Sequence, residues 1–165
     1  MKRLTLVRHA KSSWSHPEID DVDRPLSKRG EKDAPMMGQR LAQRQITPDC
    51  IISSPAKRAS RTATLIAKEI AFPITAIVTS KNIYAANVAE LIQVVQQIDD
   101  ACNSVLLCGH NPGLTELSQC LTTYQIDKLP TCGIVCIDFA IDSWKDLSPG
   151  MGTFVFFDYP KNPNA

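Results

Sequence analysis

Two of the three histidines in the chain share one local setting: Leu4-Thr5-Leu6-Val7 runs into Arg8-His9, and Val105-Leu106-Leu107-Cys108 runs into Gly109-His110. Each apolar tetrad reads as a buried strand, so each imidazole follows a strand directly. In a parallel sheet the carboxyl ends of the strands share one edge, where open α/β proteins place their ligands, and His9 and His110 are expected to face one pocket there. The alternative for either alone is a satisfied histidine at a strand end. A third stretch, from Ile51 through Ser53-Ser54-Pro55 to Arg58 and Arg61, reads as strand, sharp turn and helix, and ends at the same edge. Helix-start N–H groups favour an anion, and a guanidinium grips two phosphate oxygens in a fork. Arg58 and Arg61 share a helix face; either alone could equally be a solvated charge. Imidazoles and guanidiniums without a carboxylate cage or metal-ligand spacing suit a phosphoryl group.

The elements that must position these residues can be read from the apolar pattern. Strand-length runs occur at Leu4–Val7, Cys50–Ile52, Ile74–Val78, Val105–Cys108, Ile134–Ile137 and Phe154–Phe157. Helical spacing separates them, most clearly at Val88, Leu91, Ile92, Val95 and Ile98, and again at Leu114, Leu117, Ser118 and Leu121. This alternation predicts a single α/β domain over 1–165, with a largely parallel sheet and helices on both faces. The last two runs lack a helical pattern between them, which predicts an antiparallel C-terminal edge. A helix over Ser27–Arg44, capped by Ser27 and buried through Ala34, Met37 and Leu41, must kink at Pro35 or begin later. Ala10–Pro25, carrying Asp20, Asp21 and Asp23, has no period and reads as a long excursion over the sheet edge, a length often tied to function. Residues 159–165 read as a frayed tail.

Composition narrows the function. Of 165 residues, 44% are hydrophobic and 21% charged, and the net charge of +1 provides no global field for nucleic acid or an anionic membrane. No run reaches the roughly 18 apolar residues of a membrane span, and the expectation is a cytoplasmic protein. Its six cysteines are then expected to be free thiols rather than staples or metal ligands. There is no G-x-x-x-x-G-K-[ST] loop, no G-x-G-x-x-G after a strand, no G-x-S-x-G elbow and no C-x5-R loop. Metal-free phosphoryl transfer through histidine remains.

Four segments, in order and spacing, resemble the histidine phosphatase superfamily with its phosphoglycerate-mutase-like fold: Leu6-Val7-Arg8-His9-Ala10, Arg24-Pro25-Leu26-Ser27-x-x-Gly30, Ser53-Ser54-Pro55-x-x-Arg58-Ala59 and Gly109-His110-Asn111-Pro112-Gly113. The short length and the Arg-His-Ala-Lys-Ser-Ser-Trp opening are most similar to the small phosphohistidine phosphatases of the SixA type. The resemblance implies that His9 is the nucleophile and becomes a phosphohistidine. It implies that Arg8 and Arg58 grip the phosphoryl oxygens, that His110 donates to them, that Arg24 is a further phosphate contact and that no cofactor is needed. Arg61 falls outside the matched positions. Ala10 replaces the usual glycine, so no positive φ is required there.

Superfamily members that cleave alkyl esters use a carboxylic acid after the third strand, whereas Lys81–Asn87 offers none. Glu90 reads as a solvated helix residue, and Tyr84 or a water could stand in. The missing acid favours an N–P bond, whose leaving group departs easily. With no insertion to build a cap, the pocket is expected to be open, suiting a phosphorylated protein such as a histidine-phosphotransfer domain or a phosphocarrier, and hence a role in signalling. A small-molecule phosphatase acting on sugar or nucleotide-derived phosphates is the alternative within the class, and a non-catalytic phosphate-binding or adaptor domain the alternative outside it. Trp14 and Trp144 read as rim or packing residues, His16 as a loop residue and Lys11 as a phosphate contact or a solvated charge.

Overall fold

A computed structural model describes all 165 residues. Six strands, β1 (Lys2–Arg8), β2 (Cys50–Ser53), β3 (Val78–Thr79), β4 (Ser104–Gly109), β5 (Ile134–Phe139) and β6 (Gly152–Asp158), form one sheet in the order β3-β2-β4-β1-β5-β6. The first four are mutually parallel; β5 runs antiparallel to β1, and β6 antiparallel to β5, which is the antiparallel C-terminal edge. Helices α1 (Lys28–Gln43), α2 (Lys57–Glu69), α3 (Val88–Gln96) and α4 (Gly113–Leu121) cover the two faces.

Period-2 alternation assigns the strands' side chains to two cores. Leu4 and Leu6 of β1, Val105 and Leu107 of β4, and Val135 and Ile137 of β5 pack with α3, α4 and Trp144. Val7, Leu106, Cys108, Ile134 and Cys136 pack with Ala34, Met37 and Leu41 of α1 and with Ala59, Ala63 and Ile66 of α2. Burial on both faces explains why these strands read as continuous apolar runs. β1 and β4 are neighbours, yet the helix after β1 lies on one face and the helix after β4 on the other. The chain therefore parts at their carboxyl ends and leaves a crevice, the topological switch point.

Three local expectations are corrected. Within Ile74–Val78 only Val78 belongs to a strand; Ile74–Ala76 is a 3-10 turn, and Val78 is exposed at the sheet edge with no second layer to bury it. α1 starts at Lys28 and runs through Pro35 rather than beginning after it, with Ser27 Oγ accepting from Gly30 N–H. Its inward face of Ala34, Met37 and Leu41 outweighs the single hydrogen bond that a proline removes. Cys50 and Cys102 are joined in a disulfide, their Cα atoms 6.1 Å apart, while Cys108, Cys120, Cys132 and Cys136 are free. The bonded pair lies where β2 begins and where the chain enters β4, and the pairing of those strands brings the two residues together.

The excursion after β1 is closed at its base. Ser12 bridges Leu26, Ser13 N–H donates to Pro25 O and Ser27 N–H to Lys11 O, so residues 11–13 and 25–27 form a clasp. Gly30 permits this clasp: a Cβ there would collide with Lys11 O. At the other end of the chain, Arg40 holds the carbonyls of Tyr159 and Pro160, and Asn162 donates to Asp158.

Candidate active site

Strand register places the site residues. Arg8 pairs with Gly109 and Ser53 with Cys108, and the ladder continues one residue further through His9 N–H to Gly109 O and Ser54 N–H to Cys108 O. His9, His110 and Ser54 therefore sit side by side at one edge, with the imidazole centroids 5.2 Å apart. Thr62 on α2 ties the parts together: its hydroxyl accepts from Ala10 N–H and donates to Arg58 O. Ala10 is fully buried and absent from the positive-φ residues, consistent with alanine being tolerated there.

Hydrogen bonding fixes the tautomer of His9. His9 Nδ1 lies 2.7 Å from Ala10 O, which can only accept, so Nδ1 carries the proton and Nε2 keeps its lone pair. Ser54 Oγ accepts from Ala56 N–H and lies 2.7 Å from His110 Nε2; in the tautomer where Ser54 donates to that nitrogen, His110 carries its proton on Nδ1. Burial, then His110, Arg58 and Arg8, push His9 down to about 3. Burial and the same two arginines push His110 down to about 4, against a smaller opposing pull from Asp21. Both rings are neutral near pH 7, one presenting a nucleophilic nitrogen and the other an N–H donor.

Arg8 and Arg58 border the imidazoles, and Arg24 joins Arg58 through Asp21. Arg8 Nη1 donates to Leu129 O, a carbonyl also held by Asn111 Nδ2, and burial lowers its pKa from the ordinary arginine value. Arg58, on the second residue of α2 and 7% exposed, donates through Nη1 to Asp21 O and through Nη2 to Asp21 Oδ2. Arg24, 8% exposed, donates to Ser12 Oγ and pairs with Asp21 Oδ1 at 3.5 Å. No side chain caps the first turn of α2, so its N–H groups add to the positive field.

Five buried side-chain polar atoms in the whole chain lack a hydrogen-bond partner, and four of them lie here: Nε of Arg8, Arg24 and Arg58, and Nδ1 of His110. Burying an unpartnered donor costs about 1–3 kcal/mol, more for a charged group, so four at one site mark a place built for an anion that accepts from several directions.

The structure thus gathers His9, His110, Arg8, Arg24 and Arg58. It leaves Arg61 outside, on exposed Glu31, and Glu90 is exposed and engaged in the α3 capping box with Asn87. The site does contain a carboxylate: Asp21 links Arg24, Arg58 and Tyr84, whose hydroxyl donates to Oδ2. Asp21 is held below the ordinary carboxylate range by Tyr84, then Arg58 and Arg24, and Tyr84 is in turn raised by Asp21. The pair therefore stays as carboxylate and phenol, and neither member is an acid suited to neutral pH. Its one sequence signal was the Asp-rich excursion; partners 37 and 63 residues away in sequence gave no local cue.

Two neutral imidazoles clustered with guanidiniums at a sheet switch point mark an α/β protein whose site chemistry suits a phosphoryl group. The model of the histidine phosphatase superfamily (branch 1) matches residues 4–81. An uncharacterized chloroplastic protein of Arabidopsis thaliana is 32% identical over 153 residues, covering 88% of this chain and 70% of its own. The crystal structure of SixA from Agrobacterium tumefaciens superposes with a TM-score of 0.82 at 25% identity, over 96% of this chain and 98% of that one. The protein histidine phosphatase SixA complexed with tungstate shares the fold, with a TM-score of 0.83 at 19% identity over 97% and 98% of the two chains. The chain belongs to the histidine phosphatase superfamily and is a phosphatase.

Proposed function

We propose that the chain is a single-domain, metal-independent phosphatase that works through a covalent phosphohistidine on His9 and takes phosphohistidine on a protein partner as its substrate. Four unpartnered buried nitrogens on Arg8, Arg24, Arg58 and His110 carry this reading. The Nε2 lone pair attacks phosphorus, an Nε2–P bond forms and the bond to the leaving nitrogen breaks. Water then attacks the phosphoenzyme, inorganic phosphate departs and His9 is regenerated. Arg8, Arg24, Arg58 and the Nδ1–H of His110 hold the phosphoryl oxygens, fixed guanidiniums stabilising their charge without reorganisation.

The choice of an N–P bond rests on the missing acid. An alkoxide needs a proton as it leaves, and Asp21 is ionised, Tyr84 too weak and Glu90 engaged elsewhere. An imidazole protonated on its far nitrogen departs neutral and needs no enzyme acid. The SixA neighbour described as a protein histidine phosphatase supports the same substrate. A protein substrate, a histidine-phosphotransfer domain or a phosphocarrier, fits a chain with no long insertion to build a cap, and would set the enzyme in cytoplasmic signalling. The test is leaving-group dependence. kcat/KM for a phosphohistidine protein or an aryl phosphate is expected to exceed that for a simple alkyl phosphate by about a hundredfold or more, the usual size of an acid's contribution. Comparable values would contradict this substrate assignment and favour a small-molecule esterase.

A further inference from the structure

Arg24 is nearly buried although it sits on a surface excursion, and an indole covers it. Its guanidinium carbon lies 3.4 Å from the ring centroid of Trp14, which is itself 69% exposed. An exposed tryptophan gains little from burial, so the stack on Arg24 is the contact that explains its place. Three restraints surround the guanidinium: Trp14 on its face, Ser12 Oγ on Nη2 and Asp21 Oδ1 beside Nη1. Nε alone is buried and unpartnered.

We propose that Trp14, with Ser12 and Asp21, is a positioning residue that holds Arg24 so that its free Nε–H serves the phosphoryl site. This rests on the phosphatase reading above. The indole acts through Arg24 and touches no substrate. It shields the guanidinium from water, which strengthens its attraction to an anion, and it restricts a side chain that would otherwise lose rotamer freedom each time it bound phosphate. Arg8 and Arg58 need no such plate, because one is the last residue of β1 and the other stands on α2. The excursion has only its clasp, and the side chains along it must fix Arg24.

The test is a double-mutant cycle with an aryl phosphate as probe. Trp14→Ala is expected to raise KM about tenfold with a smaller change in kcat, in the range of a cation–π contact, while Trp14→Phe stays within about threefold of wild type. In an Arg24→Ala background, Trp14→Ala is expected to add nothing further. Trp14 is exposed, so these variants should fold, and their urea midpoints check it. An equal loss with and without Arg24 would overturn the proposal, as would an unchanged KM in Trp14→Ala or in Arg24→Ala. His9→Ala separates this from the underlying reading: an inactive His9→Ala alongside an additive cycle sinks the positioning role alone, whereas an active His9→Ala sinks the catalytic assignment itself.

Discussion

The site has two halves held by different means. The strand-end half, His9 and His110 with Arg8 beside them, is fixed by backbone: the register of β1 and β4, the Gly109 and Ala10 carbonyls, and Ser54 on the neighbouring strand. The excursion half, Asp21 and Arg24, is fixed by side chains meeting side chains: Ser12, Trp14, Tyr84 and Arg58. Groups set by a sheet ladder cannot drift without breaking the core, so His9 and His110 are pre-placed. Groups set by a loop depend on each member being present. The difference separates groups placed by the sheet from groups placed by one another.

Arg58 joins the halves, since it stands on α2 and grips both the carbonyl and the carboxylate of Asp21. Removing it should give the largest loss short of the nucleophile. Arg58→Ala is expected to lower kcat on the order of a hundredfold or more, and Arg8→Ala similarly, because each withdraws a fixed donor from the charged transition state. Steady-state kinetics on an aryl phosphate measures this, and near-normal turnover in either variant would remove that arginine from the site.

A smaller change should break the excursion half alone. In Gly30→Ala the new Cβ collides with Lys11 O, so the clasp under the loop must open. The expected result is a kcat/KM reduced roughly tenfold through KM, with a stability loss of about 1–3 kcal/mol in urea unfolding. A kcat collapse with unchanged KM would mean that the clasp supports the strand-end half instead.

The mildest test uses pH. His9 and His110 titrate at about 3 and about 4 in the fold but near 6.5 when unfolded. Between about 4 and 6.5 the unfolded chain binds protons that the folded chain does not, so stability rises with pH through that window and is lost on acidification. Asp21 works with the same sign but lower, below the ordinary carboxylate value. A Tm that falls from pH 7 to pH 5 is therefore expected, and His110→Gln should reduce the fall while Asp21→Asn leaves it unchanged. An identical pH 7 to pH 5 difference in all three proteins would contradict the buried, neutral histidines.

Much of the strand-end half was legible in the sequence because its signals are local. An apolar tetrad running straight into Arg8-His9 or Gly109-His110 places the imidazole by chain geometry alone, and Ser27, Ala34, Met37 and Leu41 announce α1 in the same way. The excursion half was legible only as far as Arg24, through its resemblance to a known motif. Asp21 and its links to Arg58 and Tyr84 depend on tertiary folding, as does the Cys50–Cys102 pairing, which requires knowing that β2 lies beside β4. The Ile74–Val78 run misled for a related reason: apolarity marks a strand only where a second layer exists to bury it, and Val78 stands at an open edge.

The central claim is that His9 attacks phosphorus through an unprotonated Nε2 held ready by the Ala10 carbonyl. Rapid-quench reaction of a labelled phosphohistidine protein with wild type and with His9→Ala tests it most directly. An acid-labile, alkali-stable phosphoenzyme that forms in wild type and is absent, with its turnover, from His9→Ala is the predicted result. Turnover surviving in His9→Ala, or wild-type turnover with no phosphoenzyme at any quench time, would contradict it.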